Sequence, residues 1–126
     1  MHRSRFSTLL IDTPFQSAGR AVDFWTAALG VQARQVPDEP QFINLDGAFP
    51  GLVVAVQSVD DAPRFHIDIE TDDLDAEVSR LLALGAVEVS RWRDCHTLRA
   101  PGGHLLCVIP VHSDPEVFAA HAATWE

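Results

Sequence analysis

Residues 65–85 read FHIDIETDDLDAEVSRLLALG. The first six alternate apolar and polar side chains, which is the pattern of a strand with one buried face. The aspartates that follow open a helix, and the later apolar residues recur at helical spacing until Gly85. We therefore predict a strand that leads into a helix, with three further strands after it: Val87 to Trp92, Cys95 to Ala100 and Leu105 to Pro110.

The same order of elements is predicted earlier in the chain. The apolar stretch from Phe6 to Asp12 is typical of a strand, and helical spacing predicts a helix from Ala18 to Leu29, stopped at Gly30. The order strand, helix, strand, strand, strand therefore occurs twice, at a spacing of about 55 to 60 residues. The three strands predicted in the first copy are Val31 to Val36, Gln41 to Leu45 and Leu52 to Ser58.

The repeated pattern predicts an α+β fold in which two βαβββ modules form a curved mixed-sheet cup with helices outside. We expect a single domain over residues 1–126, with modules in residues 1–60 and 61–112 and a C-terminal helical tail in 113–126. In the tail, Ser113 opens a capping-box pattern, and Phe118 and Trp125 follow at helical spacing as docking residues. Neither module can bury its own sheet alone, so the modules must pack together or swap between chains, and we expect a homodimer.

The charge balance disfavours nucleic acid as a partner. The chain has 18 acidic and 9 basic residues and a formal net charge of −9, a balance that disfavours the basic face that nucleic-acid binding requires. No apolar run approaches the ~20 residues of a membrane span, and the N-terminus lacks a secretory signal pattern. We expect a cytoplasmic protein without nucleic-acid or membrane partners, whose acidity either solvates the surface or attracts a cationic ligand.

The two cysteines are expected on the two arms of one hairpin. If that hairpin turns at residues 101–103, Thr97 faces Cys107, and Cys95 lies diagonally from Cys107. Diagonal Cα atoms are ~7–8 Å apart, which is beyond comfortable disulfide reach. We predict that both thiols stay reduced.

Several segments resemble the vicinal-oxygen-chelate superfamily, which includes glyoxalases, bleomycin-resistance proteins and dioxygenases. Residues 23–30, DFWTAALG, resemble its first-helix signature, and residues 65–73 resemble its fifth strand and the start of its second helix. Residues 100–104, APGGH, resemble the turn before its last strand. The resemblance points to the glyoxalase-like branch, and it implies the duplicated βαβββ fold and a small-molecule ligand.

The resemblance also places a metal site, but the residues needed for it are incomplete. In metal-dependent members, four side chains on the first, fourth, fifth and eighth strands hold a divalent ion. The matching positions here are Phe6, Ala55, His66 and Cys107. Since Phe and Ala cannot coordinate an ion, we expect no divalent metal cofactor of the oxygen-preferring kind. Zinc held by His66 and Cys107, with Asp68 as a third ligand, is the alternative.

The most suggestive side chains lie on the predicted fifth strand. Alternation places Phe65, Ile67 and Ile69 towards the helix layer and the polar residues between them on the other face. A histidine flanked by carboxylates can act as an acid, a base or a hydrogen-bond anchor, although a solvated polar face fits equally well. We assign no catalytic residue, and the predicted ligand-binding residues are His66, Asp68, Glu70, Phe6, Ala55, Cys107 and Trp92.

Two functions follow from these observations. The favoured one is a small-molecule-binding protein with a degenerate metal site, in which binding sequesters the ligand as in bleomycin-resistance proteins. Its apolar walls include Leu10 and Val53. The alternative is a lyase, isomerase or dioxygenase-type enzyme that uses His66 as an acid or base or as a metal ligand.

Overall fold

The computed structural model describes all 126 residues as nine strands and three helices, and it confirms the predicted α+β fold. A 3-10 turn, Phe15–Ser17, precedes the first helix. None of the helices has the length and apolar content required to cross a membrane. The elements are β1 His2–Pro14, α1 Ala18–Leu29, β2 Gln32–Gln35, β3 Phe42–Asp46, β4 Val53–Val59, β5 Arg64–Thr71, α2 Leu74–Ala83, β6 Val87–Trp92, β7 Cys95–Arg99, β8 Leu105–Pro110, α3 Pro115–His121 and β9 Ala123–Trp125.

The chain forms two compact units, and β1 and β5 contribute residues to both. The first unit is residues 8–66, and the second is residues 1–7 with residues 67–126. In the first unit the strand order is β2-β3-β4-β1, with β1 parallel to β4 and the other pairs antiparallel. In the second unit the order is β1-β5-β8-β7-β6, with β5 parallel to β8, and β9 also pairs with β1. Each unit therefore contains the mixed sheet that the repeated pattern predicts.

The core of the first unit lies between its sheet and α1. The buried cluster consists of Ile11, Leu45, Val54 and Val56, against which Trp25 packs from α1. The helix ends as predicted, because Gly30 adopts the left-handed conformation (φ 67°) that other residues rarely reach. Phe24, the neighbour of Trp25 in α1, is mostly exposed and makes a T-shaped contact with the Trp25 ring.

The core of the second unit confirms most of the alternation predicted for β5. Ile67 and Ile69 pack against the buried cluster formed by α2 and β7–β8, so their side chains lie on the α2 side of β5. Phe65 differs from the prediction and is exposed, because this core reaches along β5 only as far as Ile67. The buried members of the cluster are Val78, Leu98, Leu106 and Val108.

The aspartate before α2 caps the helix, as the sequence predicts. Asp73 Oδ1 accepts a hydrogen bond from the backbone N–H of Ala76 at 3.1 Å. We expect Asp73→Ala to lower the free energy of unfolding by about 1 kcal/mol in urea titrations, because the backbone N–H of Ala76 loses its hydrogen-bond acceptor. Asp75→Ala is the matched control, since Asp75 lies exposed in the first turn of the same helix. Equal losses in both variants would show that the cap contributes nothing.

The C-terminal tail departs from the prediction in two ways. Asp114, rather than Ser113, caps α3, because its carboxylate accepts from the N–H of Glu116 at 2.9 Å and proline follows directly as the first helical residue. Trp125 lies in β9 instead of the helix, because the chain becomes extended at Ala122. Docking of the tail nevertheless uses both predicted aromatic residues: Phe118 is buried, and the Trp125 indole N–H donates to Ser4 Oγ at 2.9 Å.

A buried ion cluster connects β1, α2 and β9 in the second unit. The carboxylate of Glu77 is fully buried, accepts two hydrogen bonds from Arg80 and contacts His2 Nε2, each at 2.8 Å. Burial alone would raise the pKa of Glu77, but the hydrogen bonds from Arg80 and His2 lower it to about 2. The Arg80 guanidinium also lies over the Trp125 ring, 3.8 Å from its centroid.

Candidate functional site

Asp12 and His66 form a buried polar pair in the first unit. Asp12 Oδ2 lies 2.6 Å from His66 Nδ1, and the two side chains are only 1% and 10% exposed. Arg64 Nε lies 3.3 Å from the same carboxylate oxygen. The pair is a buried carboxylate that holds an imidazole in one orientation.

Sequence reasoning identified His66 but missed Asp12, which it treated only as the end of a strand. Asp12 lies two residues after Leu10 on β1, so both side chains project to the same face. Leu10 is the register partner of Ala55 on β4, and both are buried. This face is opposite α1, since Ile11 and Val54 point into the α1 core. Ala55 therefore belongs to an apolar floor beside Asp12.

In the second unit, neighbouring strands bring Asp68 beside Cys107, and Cys95 lies diagonally from Cys107 on the next strand. Asp68 is the register partner of Cys107, and Thr97 is also paired with Cys107, which confirms the predicted hairpin register. The Thr97 hydroxyl lies 3.4 Å from Cys107 Sγ. The Cys95 thiol is hydrogen-bonded to Cys107, and this bond lowers the pKa of Cys95. Both cysteines are free thiols.

The three residues considered as alternative zinc ligands belong to two different units. His66 is the last residue of the first unit, whereas Asp68 and Cys107 lie in the second unit. Within the second unit, Asp68 and Cys107 are register partners across β5 and β8. The zinc alternative stays a prediction.

Glu70, the last of the three predicted polar site residues on β5, holds the start of the C-terminal tail. Its fully buried carboxylate accepts from the backbone N–H groups of His112 and Ser113 at 2.9 and 3.0 Å, and Arg5 Nε lies 3.5 Å away. Burial would raise the pKa of Glu70, but the hydrogen bonds from residues 112 and 113 lower it. Glu70 thus fixes the tail, a role that a strand pattern alone does not reveal.

Phe6 and Trp92, the two predicted aromatic site residues, lie in different places. Phe6 lines a groove of about 420 Å³ with Ile67 and Ile69, so it lies on the α2 side of β5, opposite Asp68. Trp92 on β6 is the register partner of Cys95, more than half exposed, with the Arg93 guanidinium 4.3 Å from its ring centroid. Directly paired side chains share a face of the sheet, so Trp92 shares the face of Cys95.

Comparison with known proteins assigns the family. A family model described as a glyoxalase-like domain matches residues 8–109, which is more than half of the chain. The chain belongs to the glyoxalase-like domain family. Membership of this family places the protein in the vicinal-oxygen-chelate superfamily, in agreement with the resemblance of its sequence motifs. None of the curated proteins matches the chain in sequence.

Solved structures share the fold of this glyoxalase-like domain at low sequence identity. A hypothetical protein of Bacillus halodurans C-125 is 12% identical with a TM-score of 0.66, over 88% of this chain and 96% of that one. Streptomyces coelicolor methylmalonyl-CoA epimerase, solved with 2-nitronate-propionyl-CoA, is 16% identical with a TM-score of 0.58, over 86% and 98%. The Mycobacterium tuberculosis methylmalonyl-CoA epimerase is 15% identical with a TM-score of 0.55, over 90% and 91%. At these identities the likeness shows the fold alone.

The metal site implied by the superfamily does not fit this glyoxalase-like domain. Of the four positions, only His66 and Cys107 carry a donor atom. Phe6 has none and lies on the α2 side of β5, and Ala55 has none and is buried. Two ligands, one of them a thiol, do not make a site for an oxygen-preferring ion such as Mg²⁺ or Mn²⁺.

Proposed function

We propose that this glyoxalase-like domain binds a small organic molecule and that the Asp12–His66 pair is the polar anchor of the site. The observation that carries the proposal is the 2.6 Å contact between a buried carboxylate and the imidazole. Because Asp12 holds Nδ1, the ring keeps one orientation and one tautomer, and Nε2 is the nitrogen that we propose contacts the ligand. Leu10 and Ala55 supply the apolar surface beside it.

A cationic organic ligand fits the charge of the protein best. The net charge of −9 attracts cations over a distance, and Asp68 adds a carboxylate on the strand that carries His66. Sequestration of such a ligand, as in bleomycin-resistance proteins, needs only affinity and no catalytic metal. The buried Asp12–His66 pair and the negative net charge of the protein support this function.

The Asp12–His66 pair also favours a second candidate function, that of an isomerase or lyase. An imidazole held by a buried carboxylate can take a proton from one atom of a ligand and return it to another. The structural neighbours include methylmalonyl-CoA epimerase structures solved with CoA thioesters, so anionic thioesters are a ligand class to test. A dioxygenase-type reaction is not supported, because Phe6 and Ala55 supply no ligand for its ion.

The experiment that separates the two functions is a calorimetric titration with one probe of each class. Bleomycin is the cationic probe and methylmalonyl-CoA the anionic one. We expect bleomycin to bind more tightly, and its affinity to fall as salt screens the charged groups. Tighter binding of methylmalonyl-CoA, with exchange of its C2 proton for deuterium, would favour the isomerase instead. Binding of neither probe would count against the proposed function.

We also infer that the protein acts as a cytoplasmic homodimer. Several large apolar side chains are exposed in the single chain, including Phe15, Phe24 and Phe49, and association would remove them from water. Light scattering should report twice the mass of the 13.8 kDa chain. A monomer at high micromolar concentration would contradict this inference.

A further inference from the structure

A groove in the second unit combines an apolar wall with basic residues. Its volume is about 420 Å³, and its wall includes Phe6, Ile67 and Trp125. The titratable residues of the lining are Arg5, Arg80 and His121. All of them are basic, although the chain as a whole has 18 acids and 9 bases. A mostly apolar wall with a few placed polar groups is typical of small-molecule sites.

Arg80 presents part of its guanidinium to this groove. Glu77 accepts hydrogen bonds from Arg80 Nε and Nη2, each at 2.8 Å, and the guanidinium lies 3.8 Å from the centroid of the Trp125 ring. Nη1 donates to neither Glu77 oxygen, so it is left for an acceptor that enters the groove. The Arg5 side chain is directed elsewhere, because it pairs with Glu70 on the opposite face of β5.

We propose that the groove of the second unit binds an amphipathic organic anion, a carboxylate with an alkyl or aryl body. The carboxylate accepts from Arg80 Nη1, and His121 at the end of α3 is a second donor. The body covers Phe6, which is 46% exposed, and so removes apolar surface from water. Since Glu77 already neutralises Arg80, the affinity for the anion comes from a hydrogen bond to a charged donor more than from net charge.

This site goes beyond the function proposed for the Asp12–His66 pair. All residues that line the groove belong to the second unit, whereas Asp12 and His66 belong to the first. The expected ligands also differ in charge, because the first unit is proposed to bind a cation.

The competing explanation is that the groove is only the seam where the C-terminal tail docks. The tail does form one side of it, through His121, Ala123 and Trp125. Docking buries Phe118 of the tail but leaves Phe6 about half exposed. Packing of the tail therefore does not account for the aromatic side chain in the wall.

Titrations with decanoate, decanol and decyltrimethylammonium test the class of ligand, because the three probes share an alkyl chain and differ in charge. Protein labelled with 5-fluorotryptophan carries one fluorine at each of Trp25, Trp92 and Trp125. We expect decanoate to move the Trp125 fluorine resonance and to leave that of Trp92 in place. Decanoate should bind at least about tenfold more tightly than decanol or the cation, because only the carboxylate accepts strongly from Arg80.

Ala123→Trp tests the place of binding, because the larger side chain fills the groove. It should weaken decanoate binding at least about tenfold. Thr124→Trp is the matched control, since Thr124 is the next residue of β9, is equally exposed and does not line the groove. Phe6→Ala tests the same wall without a change in the tail, with Phe65→Ala as its control, because both phenylalanines are exposed on strands. Circular dichroism and melting curves establish that each variant is folded.

Three results would overturn the proposal of an anion site in this groove. They are a Trp125 resonance that decanoate leaves in place, binding of decanol or the cation as tight as that of decanoate, and groove variants that both bind decanoate like their controls. None of these measurements uses bleomycin or a change at His66, so their failure is distinct from failure of the proposed function.

Discussion

Replacing Glu77 with glutamine should lower the free energy of unfolding by about 3 kcal/mol at neutral pH. The Glu77 carboxylate is fully buried and neutralises Arg80, whose side chain is only 25% exposed, while it also contacts His2. Glutamine has nearly the same size but no charge, so Arg80 is left partly buried without its counter-charge. The loss is large because removing one partner of a buried ion pair leaves the other uncompensated.

Urea unfolding at pH 7 measures the effect of Glu77→Gln, with Asp75→Asn as the control. Asp75 is an exposed acid on the same helix, so its loss should change stability by only a few tenths of a kcal/mol. A chain of this size should melt roughly 10 °C lower for a loss of about 3 kcal/mol. If Glu77→Gln and Asp75→Asn unfold at the same urea concentration, the ion cluster does not stabilise the fold.

Low pH should remove the contribution of the Glu77 carboxylate to the free energy of unfolding. Its pKa is lowered from 4.5 to about 2 in the folded protein, so the folded state favours the charged carboxylate. The stabilisation is therefore fully present above pH 4.5 and is lost as the pH falls towards 2. Unfolding measured at steps between these values should show wild type and Glu77→Gln converging at the acidic end. A difference that stays constant with pH would show that the charge of Glu77 is not its cause.

Replacing His66 with alanine should weaken binding of the cationic probe about 10- to 100-fold, because a hydrogen bond to a charged group is lost from a desolvated site. The substitution also leaves the buried Asp12 carboxylate with Arg64 as its partner, so we expect it to cost about 1–3 kcal/mol of stability. Affinity is measured by calorimetry at a temperature at which the variant is folded.

His104→Ala is the matched control for His66→Ala, since His104 is exposed near the turn between β7 and β8. It should keep the affinity of the wild type. If His66→Ala lowers the melting temperature but binds the probe with unchanged affinity, His66 supports the fold and the anchor lies elsewhere.

The parts of the fold that follow local patterns could be predicted from the sequence. The alternation of residues 65–70 placed Ile67 and Ile69 beneath α2, and Gly30 ended α1. The turn at residues 101–103 fixed Thr97 opposite Cys107, because the register of a hairpin is set by its turn. Each of these sequence signals lies within a few residues of the structural feature that it determines.

The candidate site could be predicted only in part, since its partners are far apart in sequence. Asp12 contacts His66 across 54 positions, and no local pattern links them. Local patterns along β1 also do not show where the strand passes from one unit to the other: Ser4 and Phe6 line the groove of the second unit, whereas Leu9 and Ile11 face the core of the first. The family resemblance placed Phe6 with His66, but Phe6 belongs to the second unit and His66 to the first.

The position of Trp125 shows a second limit. Its spacing from Phe118 fits a helix, but the chain leaves α3 at Ala122 and forms β9. The decisive contacts are with residues near the other end of the sequence, where β9 pairs with His2, Arg3 and Ser4 of β1. Tertiary pairing therefore overrides the local periodicity.

The most direct test of the Asp12–His66 anchor is the imidazole nitrogen spectrum of the protein with and without bleomycin. We expect that Nδ1 of His66 stays protonated against Asp12, and that the Nε2 resonance of the same ring moves as the probe saturates the protein. The resonances of His104 should remain in place. Saturation by bleomycin that leaves both His66 nitrogens unmoved would contradict the claim that this pair holds the ligand.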